Sequence, residues 1–188
     1  EVRLALYSGN LLAELRRSAI VPQLLARDPA LISALQGDDY SQTTARLISF
    51  VEEIGAASLL MLDADGRIVA ATDRNRLGEN LTPTQTYVHA MRSNVTVFTV
   101  EPREAAGYYF AYSRRVEMQN AVLGVIVVEV DLQKFERAWA GISDAVLVTD
   151  SEGTILLATE PRWRGLTEEA ALQRQPPQGA IQRAIQAT

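Results

Sequence analysis

Cysteine is absent from this chain, and histidine occurs once, as His89. The first absence excludes disulfides, thiolate metal sites and a cysteine nucleophile. The second excludes a multi-histidine zinc centre and routes any histidine-dependent chemistry through one residue. The eleven glycines never lie closer than eleven positions apart, so neither a Rossmann nor a P-loop phosphate loop exists. No Gly-x-Ser-x-Gly elbow is present. No apolar run approaches the roughly 18 residues needed to cross a bilayer. The longest, Ala121 to Val128, has the length of a strand. Positive charge is in deficit: Lys and Arg total 18 against 23 Asp and Glu, a net charge of −5. An acidic chain without a basic block argues against nucleic acid as the main partner.

Apolar residues make up 47% of the 188, enough for a packed core. The amphipathic pattern runs off both ends, without initiator Met or signal peptide, and reads as a piece of a longer protein. Leu4, Leu11, Leu12, Leu15, Val21, Leu24 and Leu25 recur near 3.6-residue spacing and predict a long first helix. Pro22 should kink it or start a new turn. Asp28-Pro29 reads as a cap and first-turn proline. Leu47, Ile48, Val51 and Ile54 mark a further helix that ends at Gly55.

Residues 58–62 and 67–71 then read as a hairpin closed by Asp63-Ala64-Asp65-Gly66. That turn lacks the further acidic ligands of a calcium loop. Residues 77–91 read as irregular at first and then as a short helix. Residues 95–100, 107–114 and 122–130 read as three more strands. Asp131 is expected to cap a helix carrying Leu132, Phe135 and Trp139. At an offset of 87 the first hairpin recurs. Asp63 matches Asp150, Asp65 matches Glu152, Gly66 matches Gly153, Ile68 matches Ile155, Thr72 matches Thr159 and Gly78 matches Gly165. The predicted fold class is α+β, a long N-terminal helix followed by tandem antiparallel-sheet modules, the second reduced or truncated. The expected division is 1–38 as a helical stalk, 39–140 as the first module and 141–188 as an incomplete second one.

Several segments carry a family resemblance. They are Asn75-Arg76-Leu77-Gly78-Glu79-Asn80, Gly107-Tyr108-Tyr109-Phe110, Gly124 through Leu132, Trp139, and Val148 through Gly153. In order and spacing the chain resembles the double PAS-like (dCache) extracytoplasmic sensor domains of membrane histidine kinases. It is most similar to the C4-dicarboxylate sensor kinases of the Dct type. The resemblance covers roughly Asn10 to Arg164. It implies a periplasmic domain of an inner-membrane protein, a membrane-distal module that binds a small organic acid, a membrane-proximal module, flanking transmembrane helices and a cytoplasmic kinase. It implies no cofactor, and no catalysis within this chain.

The resemblance also places the pocket between one sheet face and the segment 82–92. The opposite wall would come from 97–112 and the strand ending at Glu129. Six of the ten Phe and Tyr residues fall between positions 87 and 112. The candidate ligand-binding residues are Gln85, Tyr87, His89, Arg103, Tyr108, Tyr109, Phe110, Tyr112 and Glu129. Along a strand Tyr108, Phe110 and Tyr112 share one face, while Tyr109, Ala111 and Ser113 share the other. One set should face the pocket.

Two departures stand out. Where the family has an Arg-Pro-Tyr segment, this chain has Gln85, Thr86 and Tyr87. Where the family has a lysine, it has Glu129. A ligand carboxylate about 4 Å from Glu129 would cost roughly 4 kcal/mol at an effective dielectric of 20. A glutamate among tyrosines suits a cation instead. Three readings therefore stand open: a sensor of a small organic acid, a sensor of an amine, betaine or zwitterion held by Glu129 and tyrosines, and a scaffold domain that binds nothing. The first helix offers Leu4, Leu11 and Leu15 either as the seam of a homodimer or for packing on the chain's own sheet.

Overall fold

The computed structural model describes residues 2–54, 56–103, 107–142 and 145–173, with side chains from residue 6 onward. It resolves into two compact units. One comprises 12–101 and 109–131; the other comprises 1–11, 102–108 and 132–188.

The larger unit is a five-stranded sheet with helices on both faces. Helix α1 is Val2–Leu25, α2 is Pro29–Gly37 and α3 is Thr43–Ile54. Pro22 does not end α1, and Ala26 N–H donates to the Pro22 carbonyl at 2.9 Å. Asp28 caps α2 as its sequence predicts, accepting from Ala30 and Leu31 N–H at 3.0 and 3.1 Å. Gly55, the expected stop of α3, lies outside the described residues.

Strands β1 (Ser58–Asp63), β2 (Ile68–Ala71), β3 (Val97–Arg103), β4 (Gly107–Met118) and β5 (Ala121–Val130) form a sheet in the order β2-β1-β5-β4-β3. β1 thus pairs with its sequence neighbour β2 on one side and with the distant β5 on the other. That crossover puts the ends of β1 and β5 side by side, with Ser58 opposite Glu129. The two sheet faces differ. Leu59, Met61, Ile126 and Val128 pack under α1, α2 and α3. Leu60, Leu62, Val125, Val127 and Ala111 face the other way, toward α4 (Gln85–Arg92). The period-2 pattern is hidden in the sequence because both faces are covered and both are apolar.

The smaller unit contains α5 (Gln133–Trp139), β6 (Leu147–Thr149), β7 (Ile155–Ala158) and α6 (Glu168–Gln173). Leu132, one residue after the expected Asp131, occupies the cap position of α5 and its own side chain makes no cap bond. The repeat inferred at offset 87 is a structural repeat. Asp63 Oδ1 accepts from Asp65 and Arg67 N–H at 3.0 Å each. Asp150 Oδ1 accepts from Glu152 and Thr154 N–H at 2.9 Å each. Both hairpins slip register at the matched step, Met61/Leu62 and Val148/Thr149. Each is followed by a 3-10 turn, Arg74–Arg76 and Pro161–Trp163.

The expected dimer seam needs correction. Leu11 is buried within the chain and Leu15 is half-buried, while the side chain of Leu4 lies outside the described residues. The exposed apolar residues of α1 are Leu6, Leu12, Ile20 and Leu24. Among the described residues no helix is long and apolar enough to cross a membrane.

Candidate ligand site

The site grows from the sheet face under α4. Thr84 caps α4, accepting from Tyr87 N–H at 3.2 Å. Within the first turn, Thr86 is 1% exposed and fixes the helix to the sheet. Its hydroxyl lies 2.9 Å from that of Thr99 on β3. Its N–H and hydroxyl both donate to Glu101 Oε1, at 2.8 and 2.6 Å. Ser113 on β4, itself fully buried, donates to the Thr86 carbonyl at 3.1 Å. A carboxylate at the first turn of a helix meets unpaired N–H groups and the positive dipole end, which explains why Glu101 tolerates this position.

Beyond this polar seam lies a charged cluster. Arg76, on the 3-10 turn after β2, donates through Nη1 to Glu129 Oε1. Its Nε donates to Glu79 Oε2 at 3.0 Å. Tyr109 donates its hydroxyl to the same Glu129 oxygen at 3.0 Å. The Arg76 and Glu129 side chains retain only 19% and 16% of their exposure. Burial works against charge on Arg76, but the carboxylates of Glu129 and Glu79 outweigh it and raise its pKa. Burial, then the adjacent Glu129 charge, pushes the Tyr109 phenol far above its usual range. Tyr109 is therefore a neutral donor throughout the physiological range.

The structure sorts the nine sequence candidates. Tyr109 and Glu129 meet. Tyr87 packs over the same face, but its hydroxyl donates to the Ala64 carbonyl at 2.8 Å, tying α4 to the first hairpin turn. Gln85 and His89 are exposed on α4. Phe110 and Tyr112 point to the opposite face, where Phe98 lies against them at centroid distances of 6.5 and 4.8 Å. The aromatic cluster is thus split by the sheet, as strand alternation requires. Arg103 and Tyr108 belong to the smaller unit. Arg115 donates to the Met91 carbonyl at 3.0 Å, at the far end of α4.

Sequence reasoning missed Arg76, Thr86, Thr99, Glu101 and Ser113 as site residues. Arg76 lay in plain view, inside one of the segments that carried the resemblance. A crossing strand order was needed to bring it to Glu129, 53 positions away.

A separate open cavity of about 250 Å³ lies between α2 and α3, lined by Leu31, Ala34, Asp39, Thr43 and Arg46 among others. Its cation, Arg46, is paired with Asp28. Among the described residues no group of three His, Asp or Glu side chains could hold a metal.

No family model matches the chain. It is 33% identical over 173 residues to the C4-dicarboxylate transport sensor protein DctB of Pseudomonas aeruginosa, a match that takes in 86% of this chain and 28% of the relative. The chain is homologous to DctB sensor proteins. It spans about a quarter of the length of the curated relatives it matches, which are covered to 28% and 27%. The DctB resemblance extends to the fold. The sensor domain of the V. cholerae histidine kinase DctB superposes with a TM-score of 0.75 at 24% identity, over 92% of this chain and 71% of that one. The ligand-binding domain of the Pseudomonas aeruginosa amino acid chemoreceptor PctC, in complex with GABA, gives 0.67 at 19% identity, over 92% and 80%. The architecture is that of Cache/PAS-like sensor domains. What aligns with this chain in the V. cholerae DctB kinase is its sensor domain, not a catalytic one.

Proposed function

We propose that this chain is the periplasmic sensor domain of a membrane-bound two-component histidine kinase, and that the α4 face of its five-stranded sheet takes a small organic ligand bearing a carboxylate. Residues 39–140 form the membrane-distal, ligand-binding module and 141–188 the membrane-proximal one, with 1–38 as the stalk. Transmembrane helices flank the chain in the whole protein, and the stalk pairs two copies. No bond is made or broken at the site. The ligand acts by binding one of two conformations more tightly, and only that difference in affinity drives the signal.

The observation that carries the reading is Arg76. It is a largely buried guanidinium, paired with Glu129 near the end of β5, with Tyr109 of β4 on the same carboxylate oxygen. A guanidinium fork matches a carboxylate in shape and charge. The named compounds of the compared proteins, C4-dicarboxylates and GABA, share a carboxylate.

The test is a thermal-shift panel of small mono- and dicarboxylates and amino acids on the 188-residue chain. A ligand present at 100 times its Kd should stabilise the fold by about 2.7 kcal/mol. At least one carboxylate should shift the melting temperature, and Arg76→Gln should abolish that shift. A flat response across the panel overturns the reading and favours a scaffold domain.

A further inference from the structure

Resting on that reading, we infer that the ligand is a zwitterion, a small compound with one carboxylate and one ammonium group, and that the site refuses dicarboxylates. The charges around one guanidinium set this preference. Arg76 faces Glu79 and Glu129 directly. Glu101 lies on the same sheet face. Two carboxylates thus flank one cation, and a third is engaged by Thr86 elsewhere on that face. Arg115 shares the face but holds the Met91 carbonyl and pairs with Glu117. It lies six residues along β4 from Tyr109, about 20 Å at 3.3 Å per residue. The site therefore has one place for an anion and a surplus of places for a cation.

The places differ in how readily they open. Glu79 keeps 46% of its side-chain exposure. Such a surface pair holds weakly and yields to competition. A ligand carboxylate takes Glu79's place on the Arg76 fork, and Glu79 returns to water at little cost. Glu129 is held differently. Its side chain is sunk, and both its donors, Arg76 and Tyr109, converge on Oε1. Among the described residues no hydrogen bond reaches Oε2. That oxygen is the acceptor for an ammonium group. A second carboxylate at the same place would meet the charge of Glu129.

Calorimetry on the 188-residue chain tests the inference. One arm uses L-amino acids and 4-aminobutyrate, a second uses succinate, fumarate and L-malate, and a third uses choline. Wild type should bind at least one zwitterion and none of the dicarboxylates. Glu129→Gln, which keeps the shape and removes the charge, should weaken that zwitterion tenfold or more. Circular dichroism and melting confirm that the variant folds. Dicarboxylate binding as tight as any zwitterion, or zwitterion affinity unchanged in Glu129→Gln, overturns the inference and leaves the sensor reading intact. Binding of choline alone, or of nothing in any arm, overturns both.

Discussion

The two hairpin repeats use the same backbone and carry different cargo. In each, the first residue of the return strand donates to the segment after the 3-10 turn, Ile68 to Glu79 at 2.9 Å and Ile155 to Leu166 at 2.8 Å. In each, a left-handed glycine closes the loop, Gly78 at φ 86° and Gly165 at φ 79°, donating back to that same strand residue. The matched 3-10 turns end differently. The first ends on Arg76, which reaches two carboxylates. The second ends on Trp163, 2% exposed among Ile155, Ala158 and Ala171. The offset of 87 places the two residues at one position of the motif. Arg76 and Glu79 of the first repeat thus stand where the second carries Trp163 and Leu166, a charged site against an apolar core on one backbone motif.

Removing the cargo should hurt the second repeat more. Trp163→Ala empties the centre of a small core and should cost about 3–5 kcal/mol, read from urea unfolding. A cost below about 1 kcal/mol would mean that Trp163 does not hold that core. Arg76→Trp imposes the second repeat's residue on the first. It strips Glu129 of its guanidinium and should destabilise by about 1–3 kcal/mol while removing ligand-induced stabilisation. If the variant keeps full ligand response, Arg76 is not the anion site.

The turn glycines sharpen the comparison. Gly66 and Gly153 are matched, at φ 75° and 82°. An alanine at either meets the left-handed penalty of about 1–2 kcal/mol. At Gly66 the new Cβ would also stand 2.7 Å from Thr82 Cγ2 and 3.1 Å from Tyr87, whereas at Gly153 nothing lies within 4 Å. Gly66→Ala should therefore cost about 1 kcal/mol more than Gly153→Ala. Equal costs would show that α4 gives way at the Thr82 end.

What could be read from sequence follows from where the information sits. The α2 cap, the hairpin turns and the repeat are local, each set by residues within a few positions of one another, as Asp28 with Ala30 and Asp63 with Arg67. The split of the aromatic cluster was legible as strand alternation, but not which face α4 would cover, because Leu60 and Leu59 are equally apolar. The Arg76–Glu129 pair depends on β1 lying beside β5, a non-local fact. Glu129 stood out by its surroundings; its partner did not, because 22% of the chain is charged and nothing local singles out one arginine.

The smallest predicted effect is a difference near zero, and it tests the claim that the scaffold is common to both repeats. Asp63 and Asp150 make the same two side-chain bonds to backbone N–H groups. Both sit at exposed turns, where the lost bonds exchange for water, so alanine at either should cost about 1 kcal/mol. Hydrogen exchange at Arg67 and Thr154 N–H reads each turn separately, and both amides should lose protection by a similar factor. If Asp63→Ala opens its turn much further than Asp150→Ala does, the first hairpin is held less by its own bonds than by the Tyr87 hydroxyl on Ala64. The likeness of the two repeats would then be one of shape rather than of the forces that maintain it.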